Sequence, residues 1–393
     1  MNSEQLTIGV IGSGAMGNGI AQVAATAGHN VIVYDNNSQA LAKAKSGLEA
    51  TLKKLAEKEK ITVADEKKIF ERVHYVDKMN EFGGCGLVIE AIVENLEVKK
   101  KVFSELEKIV SADCILASNT SSLSITSIAS ACKNPERMIG IHFFNPAPLM
   151  PLVEIIPGIA TEEKLPQKIK FIISSWKKVP VIANDTPGFI VNRVARPFYG
   201  EAIRMYEEGI ADFETLDAVM KEHGFKMGPF ELMDMIGNDV NYAVTEAVWK
   251  QFFCDPRYKP SLTQKRLVES GRLGRKTGKG YYDYEDVRPK AEAGKHTLEL
   301  GSRTSDIFLR MISMLINEAA DTLYYGVATK EDIDLAMTKG VNYPKGLLRW
   351  ADEIGIEKVL TVLEKLYSGY SEDRYRPSML LRKMAREGKR FYE

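Results

Sequence analysis

Short β-branched runs alternate with helical stretches over the first 185 residues, and few folds accommodate that rhythm. The strand candidates are Thr7–Ile11, Val31–Tyr34, Leu87–Ala91, Ile115–Ser118, Met138–Phe143 and Val179–Ala183. Amphipathic helices fit between most of them, notably Ala15–Ala27, Gln39–Lys60 and Val98–Val110. Such alternation predicts a parallel sheet covered by helices on both faces. The stretch Gln39–Arg72 is long for one crossover; it reads as two helices joined near Lys60–Val63, a hairpin arm standing off the sheet. After Thr186-Pro187-Gly188 the strand signals nearly vanish and helical periodicity runs to the C-terminus. A domain boundary is therefore expected at residue 185.

The helical part repeats itself. Glu201, Asp217 and Met220 recur as Glu318, Asp334 and Met337, each 117 residues on. Arg257-Tyr-Lys-Pro-Ser261 recurs as Arg374-Tyr-Arg-Pro-Ser378 at the same offset, and Asp234-Met-Ile-Gly237 as Asp352-Glu-Ile-Gly355 at 118. A constant offset over so long a stretch predicts two copies of one helical unit, residues 186–300 and a truncated 301–393.

Composition excludes several classes. With 53 basic and 53 acidic residues, no global field points to nucleic acid or an anionic membrane. No apolar run approaches the roughly 18–20 residues that cross a bilayer. The start, Met-Asn-Ser-Glu-Gln, lacks the basic region of a secretory leader, which predicts a cytoplasmic protein. Cys85, Cys114, Cys132 and Cys254 have no metal-type spacing and read as thiols buried in a reducing compartment; no metal site is expected.

Chemistry enters with Gly12-Ser-Gly14-Ala15-Met16-Gly17, which follows a strand and opens a helix. Gly12 permits a tight turn, Gly14 lets backbone approach a pyrophosphate, and Gly17 allows close helix–sheet packing. The helix N-terminus offers N–H donors and a positive dipole end to phosphates. Asp35 ends the second strand, where a carboxylate would bond a ribose diol and repel a 2′-phosphate, so NAD is favoured over NADP. The first domain is accordingly read as Rossmann-type. Two further segments, Glu90–Glu94 and Ser118–Ser122, fall at strand C-termini, where ligands of open α/β sheets bind. Asn119 there has a structural alternative, capping the next helix.

Among five histidines only His142 closes an apolar strand, running into Phe143-Phe144-Asn145-Pro146. Glu154 follows within the apolar run Leu152–Ile156. A buried carboxylate needs a partner, and an imidazole is the economical one. Oxidising an alcohol requires a base for the hydroxyl proton, and a carboxylate would fix the tautomer of that base. The alternative is a core histidine bonded to backbone, with Glu154 in an unrelated ion pair. His29 reads as a turn residue; His74, His223 and His296 read as surface residues.

These segments, with Asp185–Arg193 and Gly278-Lys-Gly-Tyr-Tyr-Asp-Tyr284, resemble the L-3-hydroxyacyl-CoA dehydrogenase family over essentially the whole chain. The resemblance implies reversible oxidation of a 3-hydroxyacyl-CoA thioester, with His142 as base and Glu154 orienting it. It implies that Ser121 and Asn192 contact substrate, that Asn145 braces the pocket, and that the cleft between the domains hosts the chemistry. On the cofactor side it adds Ala91, Glu94, Lys99 and Asn119, facing the nicotinamide half. Lys54 and Lys60 are the best matches for lysines that meet coenzyme A phosphates, although a solvated helix face explains them too. Aligned at offset 117, Asn192 meets Leu309, and the Gly-Lys-Gly-Tyr-Tyr segment dwindles to Gly388-Lys-Arg-Phe-Tyr392. The second copy is therefore expected to be a structural partner, an internal pseudo-dimer that leaves room for homo-oligomers. No hydratase-like segment precedes the dehydrogenase part, so fused multifunctional members are partial matches. The same outline includes L-gulonate dehydrogenase and related lens crystallins, and a NAD-binding structural protein is the remaining alternative.

Overall fold

The computed structural model describes residues 6–285 and 302–392, with the side chains of Ser302 and Arg303 excepted. The expected copy boundary at residue 300 and His296 lie outside the described residues. Two compact units divide between Thr186 and Pro187.

The first unit runs β1 (Ile8–Ile11), α1 (Ala15–Thr26), β2 (Val31–Tyr34), α2 (Ser38–Glu57), α3 (Val63–Glu71), β3 (Val73–Val76), β4 (Leu87–Glu90) and α4 (Leu96–Leu106). It continues with β5 (Ile115–Ser118), α5 (Ile125–Ala129), β6 (Met138–Phe143), β7 (Leu152–Pro157), α6 (Leu165–Ser175) and β8 (Val179–Ile182). The strands form one sheet in the order β3-β2-β1-β4-β5-β6-β7-β8. The direction of winding reverses between β1 and β4, where a crevice opens at the strand C-termini. β1, β4 and β5 are buried along their whole length, which is why they read as continuous apolar runs.

Three features differ from the sequence reading. β7 runs antiparallel to β6, because residues 144–151 are too few for a crossover, which needs about a dozen. β3, with the sequence Val-His-Tyr-Val, is a short edge strand with too little pattern to announce itself. The two expected helices exist, but the arm does not stand clear of the sheet. Leu41, Leu48 and Leu52 form a stripe along α2, and Leu48, Leu52 and Ile69 join the core that holds Val10 and Val31. Asn37 caps α2, and a Thr62–Asp65 capping box opens α3.

The second unit is helical among its described residues: α7 (Val191–Val194), α8 (Arg196–Glu207), α9 (Phe213–Glu222), α10 (Pro229–Ile236), α11 (Asn238–Gln251) and α12 (Leu262–Glu269). Then come α13 (Ser302–Tyr324), α14 (Lys330–Gly340), α15 (Leu347–Ile354), α16 (Ile356–Tyr370) and α17 (Met379–Glu387). α13 is the central element, packed on α8, α15 and α16. Its buried face is largely apolar but carries Ser313, Asn317, Thr322 and a set of charges. Arg193 Nε and the Tyr258 hydroxyl each donate to Glu318 Oε1 at 2.6 Å. Arg310 Nε donates to Glu201 Oε1 at 2.6 Å, and the Tyr375 hydroxyl donates to it at 2.8 Å. Every residue in the second set lies 117 positions from its counterpart in the first.

Further bonds recur in kind, with offsets of 117 for the first aspartate, 118 for its partners and the second aspartate, and 110 for the last pair of N–H groups. Asp217 accepts the N–H groups of Phe230 and Glu231, opening α10; Asp334 accepts those of Leu348 and Arg349, opening α15. Asp234 accepts the N–H groups of Tyr281 and Tyr282, and Asp352 those of Phe391 and Tyr392. The segment Gly388–Tyr392 thus accepts the same kind of anchoring by an aspartate as Gly278–Tyr282.

Two histidines also differ from expectation. His29 is buried, accepting the Trp176 indole N–H and bonded to the Leu6 carbonyl. His223 stacks face to face on Phe308, at 3.6 Å between centroids. Cys85, Cys114 and Cys132 are buried and Cys254 is exposed. Among the described residues, no helix is long and apolar enough to cross a membrane.

Candidate active site

The glycine turn sits at the C-terminal end of β1, beside the winding reversal. Gly12 has φ +99°, and a Cβ on it would lie 2.6 Å from the Ala91 carbonyl oxygen. A Cβ on Gly17 would lie 1.9 Å from the Gly12 carbonyl oxygen, so only glycine lets α1 start so close to the strand. Gly14 differs: nothing lies within 4 Å of where its Cβ would be. The N-terminus of α1 carries no side-chain cap, and Gly14 and Ala15 are exposed there, with Met16 half-buried beside them. Open space before uncapped N–H donors suits a pyrophosphate. Asp35 follows β2 and ties down the turn, accepting both the Ser13 N–H and the Ser13 hydroxyl at 2.8 Å. The residues fit a dinucleotide: donors for phosphate, a carboxylate for ribose, and no side chain in the way.

Next to the turn, the end of β4 holds a charge network. Glu90 is fully buried, 2.6 Å from Lys99 Nζ, and also accepts the Ser118 hydroxyl and the Ile92 N–H at 2.7 Å. Lys99 is only 1 % exposed and lies 3.3 Å from Glu94 as well. Its ammonium is therefore engaged with two carboxylates of its own unit. Glu94 Oε1 gathers the Thr120 hydroxyl at 2.6 Å, the Ser121 N–H at 3.0 Å and the Ser122 hydroxyl at 3.1 Å. Burial would raise the Glu94 carboxyl, but Lys99 and the bonds from Thr120 and Ser121 outweigh it and hold it below the ordinary glutamate range.

At the ends of β5 and β6 the remaining residues meet. Asn119 Oδ1 accepts the Phe143 N–H at 2.8 Å, so this side chain couples two strand ends rather than capping a helix. The antiparallel register sets His142 directly opposite Glu154. His142 Nδ1 lies 2.7 Å from Glu154 Oε2, with the imidazole 5 % exposed and the carboxylate fully buried. Phe144 packs on the imidazole, at 4.5 Å between centroids. Asn145 is exposed just beyond. The loop after it is stapled by Lys178, whose ammonium donates to the carbonyls of Ala147 (2.5 Å) and Met150 (2.8 Å); burial lowers its pKa.

Lys54, near the end of α2, and Lys60, past that end, are both exposed. Asn192 lies on α7 of the second unit, behind Gly188 with φ +75°. Sequence reasoning placed Glu90 and Thr120 in ligand-facing segments without giving either a role, and it passed over Lys178. Glu90 carried the signal used for Glu154, a carboxylate in an apolar strand, whereas the bonds of Thr120 and Lys178 have no sequence signature.

A sheet that reverses beside an uncapped glycine turn, with a buried imidazole–carboxylate pair on neighbouring strands, defines a nicotinamide-dependent dehydrogenase. The family model described as "3-hydroxyacyl-CoA dehydrogenase, NAD binding domain" matches residues 7–186, and "3-hydroxyacyl-CoA dehydrogenase, C-terminal domain" matches residues 188–284 and 307–391. The chain belongs to the 3-hydroxyacyl-CoA dehydrogenase family, and its first unit is that family's NAD-binding domain. It is 39% identical to the 3-hydroxyadipyl-CoA dehydrogenase of Escherichia coli K12, over 96% of this chain and 97% of that one. It is 43% identical to the human mitochondrial hydroxyacyl-coenzyme A dehydrogenase, over 70% and 90%. A crystal structure of 3-hydroxybutyryl-CoA dehydrogenase from Escherichia coli K12 superposes with a TM-score of 0.91 at 38% identity, covering 97% and 98%.

Proposed function

We propose that this dehydrogenase oxidises the 3-hydroxyl of an (S)-3-hydroxyacyl-CoA to the ketone, reversibly, with His142 as the general base and Glu154 orienting it. The supporting observation is the 2.7 Å contact between His142 Nδ1 and Glu154. A carboxylate that accepts Nδ1–H leaves the basic lone pair on Nε2 and stabilises the imidazolium formed when the hydroxyl proton arrives. In the reverse direction the imidazolium returns that proton to the carbonyl oxygen. NAD, when bound, supplies the hydride acceptor. The α1 N-terminus, with Gly12, Gly14, Ala15, Met16 and Gly17, would hold its phosphates and Asp35 its ribose. Ala91, Glu94 and Asn119 are assigned to its nicotinamide side, with Lys99 acting through Glu94. Ser121 is assigned to the reacting oxygen and Asn145 to the pocket wall. Asn192 enters from the family pattern alone, and Lys54 and Lys60 enter as exposed charges suited to coenzyme A phosphates.

The second reading concerns architecture. We infer that residues 187–393 are two copies of one helical unit facing each other as an internal pseudo-dimer. The reciprocal bonds of Arg193 to Glu318 and Arg310 to Glu201 support it, since a two-fold interface pairs residue i with j and j with i. A cytoplasmic location accords with three buried free thiols.

NADH oxidation should be followed with 3-ketoacyl-CoA substrates from four carbons upward, with 3-ketoadipyl-CoA as the dicarboxylic member, and NAD reduction with L-gulonate. Full-length relatives carry both butyryl and adipyl names, so the panel spans both. Turnover of the thioesters is expected. Turnover of L-gulonate alone would overturn the assignment.

A further inference from the structure

The pseudo-dimer is not symmetric in charge. On one side Arg257 pairs with the Asp321 carboxylate as well as with Glu318. Moving each residue by 117 maps Arg257 onto Arg374 and Asp321 onto Arg204. The partner of the second arginine has therefore become another arginine, and the carboxylate is missing.

A cavity of about 690 Å³ exists elsewhere in the unit, but the one that matters here, about 430 Å³, is lined by both Arg204 and Arg374 together with Lys259. Arg204 is 9 % exposed, and its one described bond is a long 3.4 Å contact from Nη1 to Glu201. Glu201 is already held by Arg310 and Tyr375. Arg374 donates from Nη2 to Glu372, while its counterpart Arg257 uses both Nη groups on buried acceptors. Of the two carboxylates in the lining, Glu208 is bound to Arg310 and Tyr370, and Glu207 accepts the hydroxyls of Thr263 and of Ser261, which lines the same cavity. A desolvated guanidinium without a full complement of acceptors is costly, and a planar or tetrahedral oxyanion matches its fork.

We propose that the cavity between Arg204 and Arg374 binds a small oxyanion, carboxylate or phosphate, in the place that Asp321 fills on the opposite side. The inference rests on the internal duplication read above and is independent of the dehydrogenase chemistry.

The test is thermal unfolding of the full chain with saturating NAD, which occupies the dinucleotide site. Sodium phosphate and sodium malonate are each compared with sodium chloride at equal ionic strength. The wild type should gain several degrees in Tm with phosphate or malonate beyond the chloride control. Arg204→Gln should lose that gain. Arg204→Asp should lose it as well, because it supplies the missing carboxylate from within. If Arg204→Asp does not fold, Arg204→Gln decides. A gain with phosphate alone or malonate alone identifies the source and still supports the site. An absent gain in the wild type, or an unchanged gain in Arg204→Gln, overturns it. Turnover of 3-ketoacyl-CoA should be the same in Arg204→Gln and wild type, which separates failure here from failure of the functional assignment.

Discussion

Arg193 and Glu318, separated by more than a hundred residues, meet at 2.6 Å in the interior of the helical unit, and Glu318 is fully buried. Arg257 and Tyr258 bond the same carboxylate, so one side chain of α13 is the acceptor for three donors. Burial would raise the Glu318 carboxyl, but Arg193 and Arg257 outweigh it and hold it below the ordinary value. Glu318→Gln should destabilise the protein by about 3–5 kcal/mol, the usual cost of leaving buried charge unpaired. Urea unfolding would measure it. The pH dependence follows from the lowered folded-state pKa. The contribution is complete above the unfolded value of 4.5 and is lost as pH falls through the folded one. Below pH 4.5 the wild type should therefore lose stability more steeply than Glu318→Gln.

The proposed catalytic pair, His142 and Glu154, gives a different signature. His142→Gln should lower kcat by about 100- to 10,000-fold, as expected for a lost general base. Glu154→Gln should lower kcat within the same range, because the tautomer and the imidazolium lose their support. NAD affinity, measured by fluorescence titration, should stay near that of the wild type in both. Wild-type turnover in Glu154→Gln would remove the carboxylate from the mechanism.

Gly14 and Gly17 belong to one motif but should fail differently. Gly17→Ala places a methyl 1.9 Å from the Gly12 carbonyl, so the turn must move and the folded state should lose stability. Gly14→Ala meets open space, so the Tm should barely change while NAD affinity falls by tenfold or more (about 1.4 kcal/mol). Calorimetry of both variants, with and without NAD, distinguishes the two. Equal Tm losses would show that Gly14 is also structural.

His29 should confer a mild acid sensitivity. Its Nε2 accepts the Trp176 N–H, a bond available only to the neutral ring, and burial lowers its pKa from 6.5. The unfolded chain then binds the proton more readily, so stability is intact above pH 6.5 and declines as pH falls through the folded value. His29→Gln keeps an acceptor for Trp176 and should flatten the stability profile between pH 6.5 and 5. Equal slopes for the two proteins would assign the loss to other groups.

Much of this was legible in one dimension. The strand–helix rhythm, the glycine turn with Asp35, and a carboxylate stranded in Leu152–Ile156 each follow from local chemistry, because an apolar run or a glycine turn must do the same thing wherever it sits. The offset of 117 was equally plain, since repetition needs no coordinates. What sequence could not decide was partnership. Whether Glu154 faced His142 depended on β7 turning antiparallel, and the brevity of residues 144–151 became decisive only once both strands were known to be neighbours. That the Lys99 ammonium lies between Glu90 and Glu94 was equally out of reach. His29 looked like a turn residue until Trp176 came to it from far along the chain. Burial, and the pairing that burial enforces, arise from chain segments distant in sequence, so only the tertiary structure could assign them.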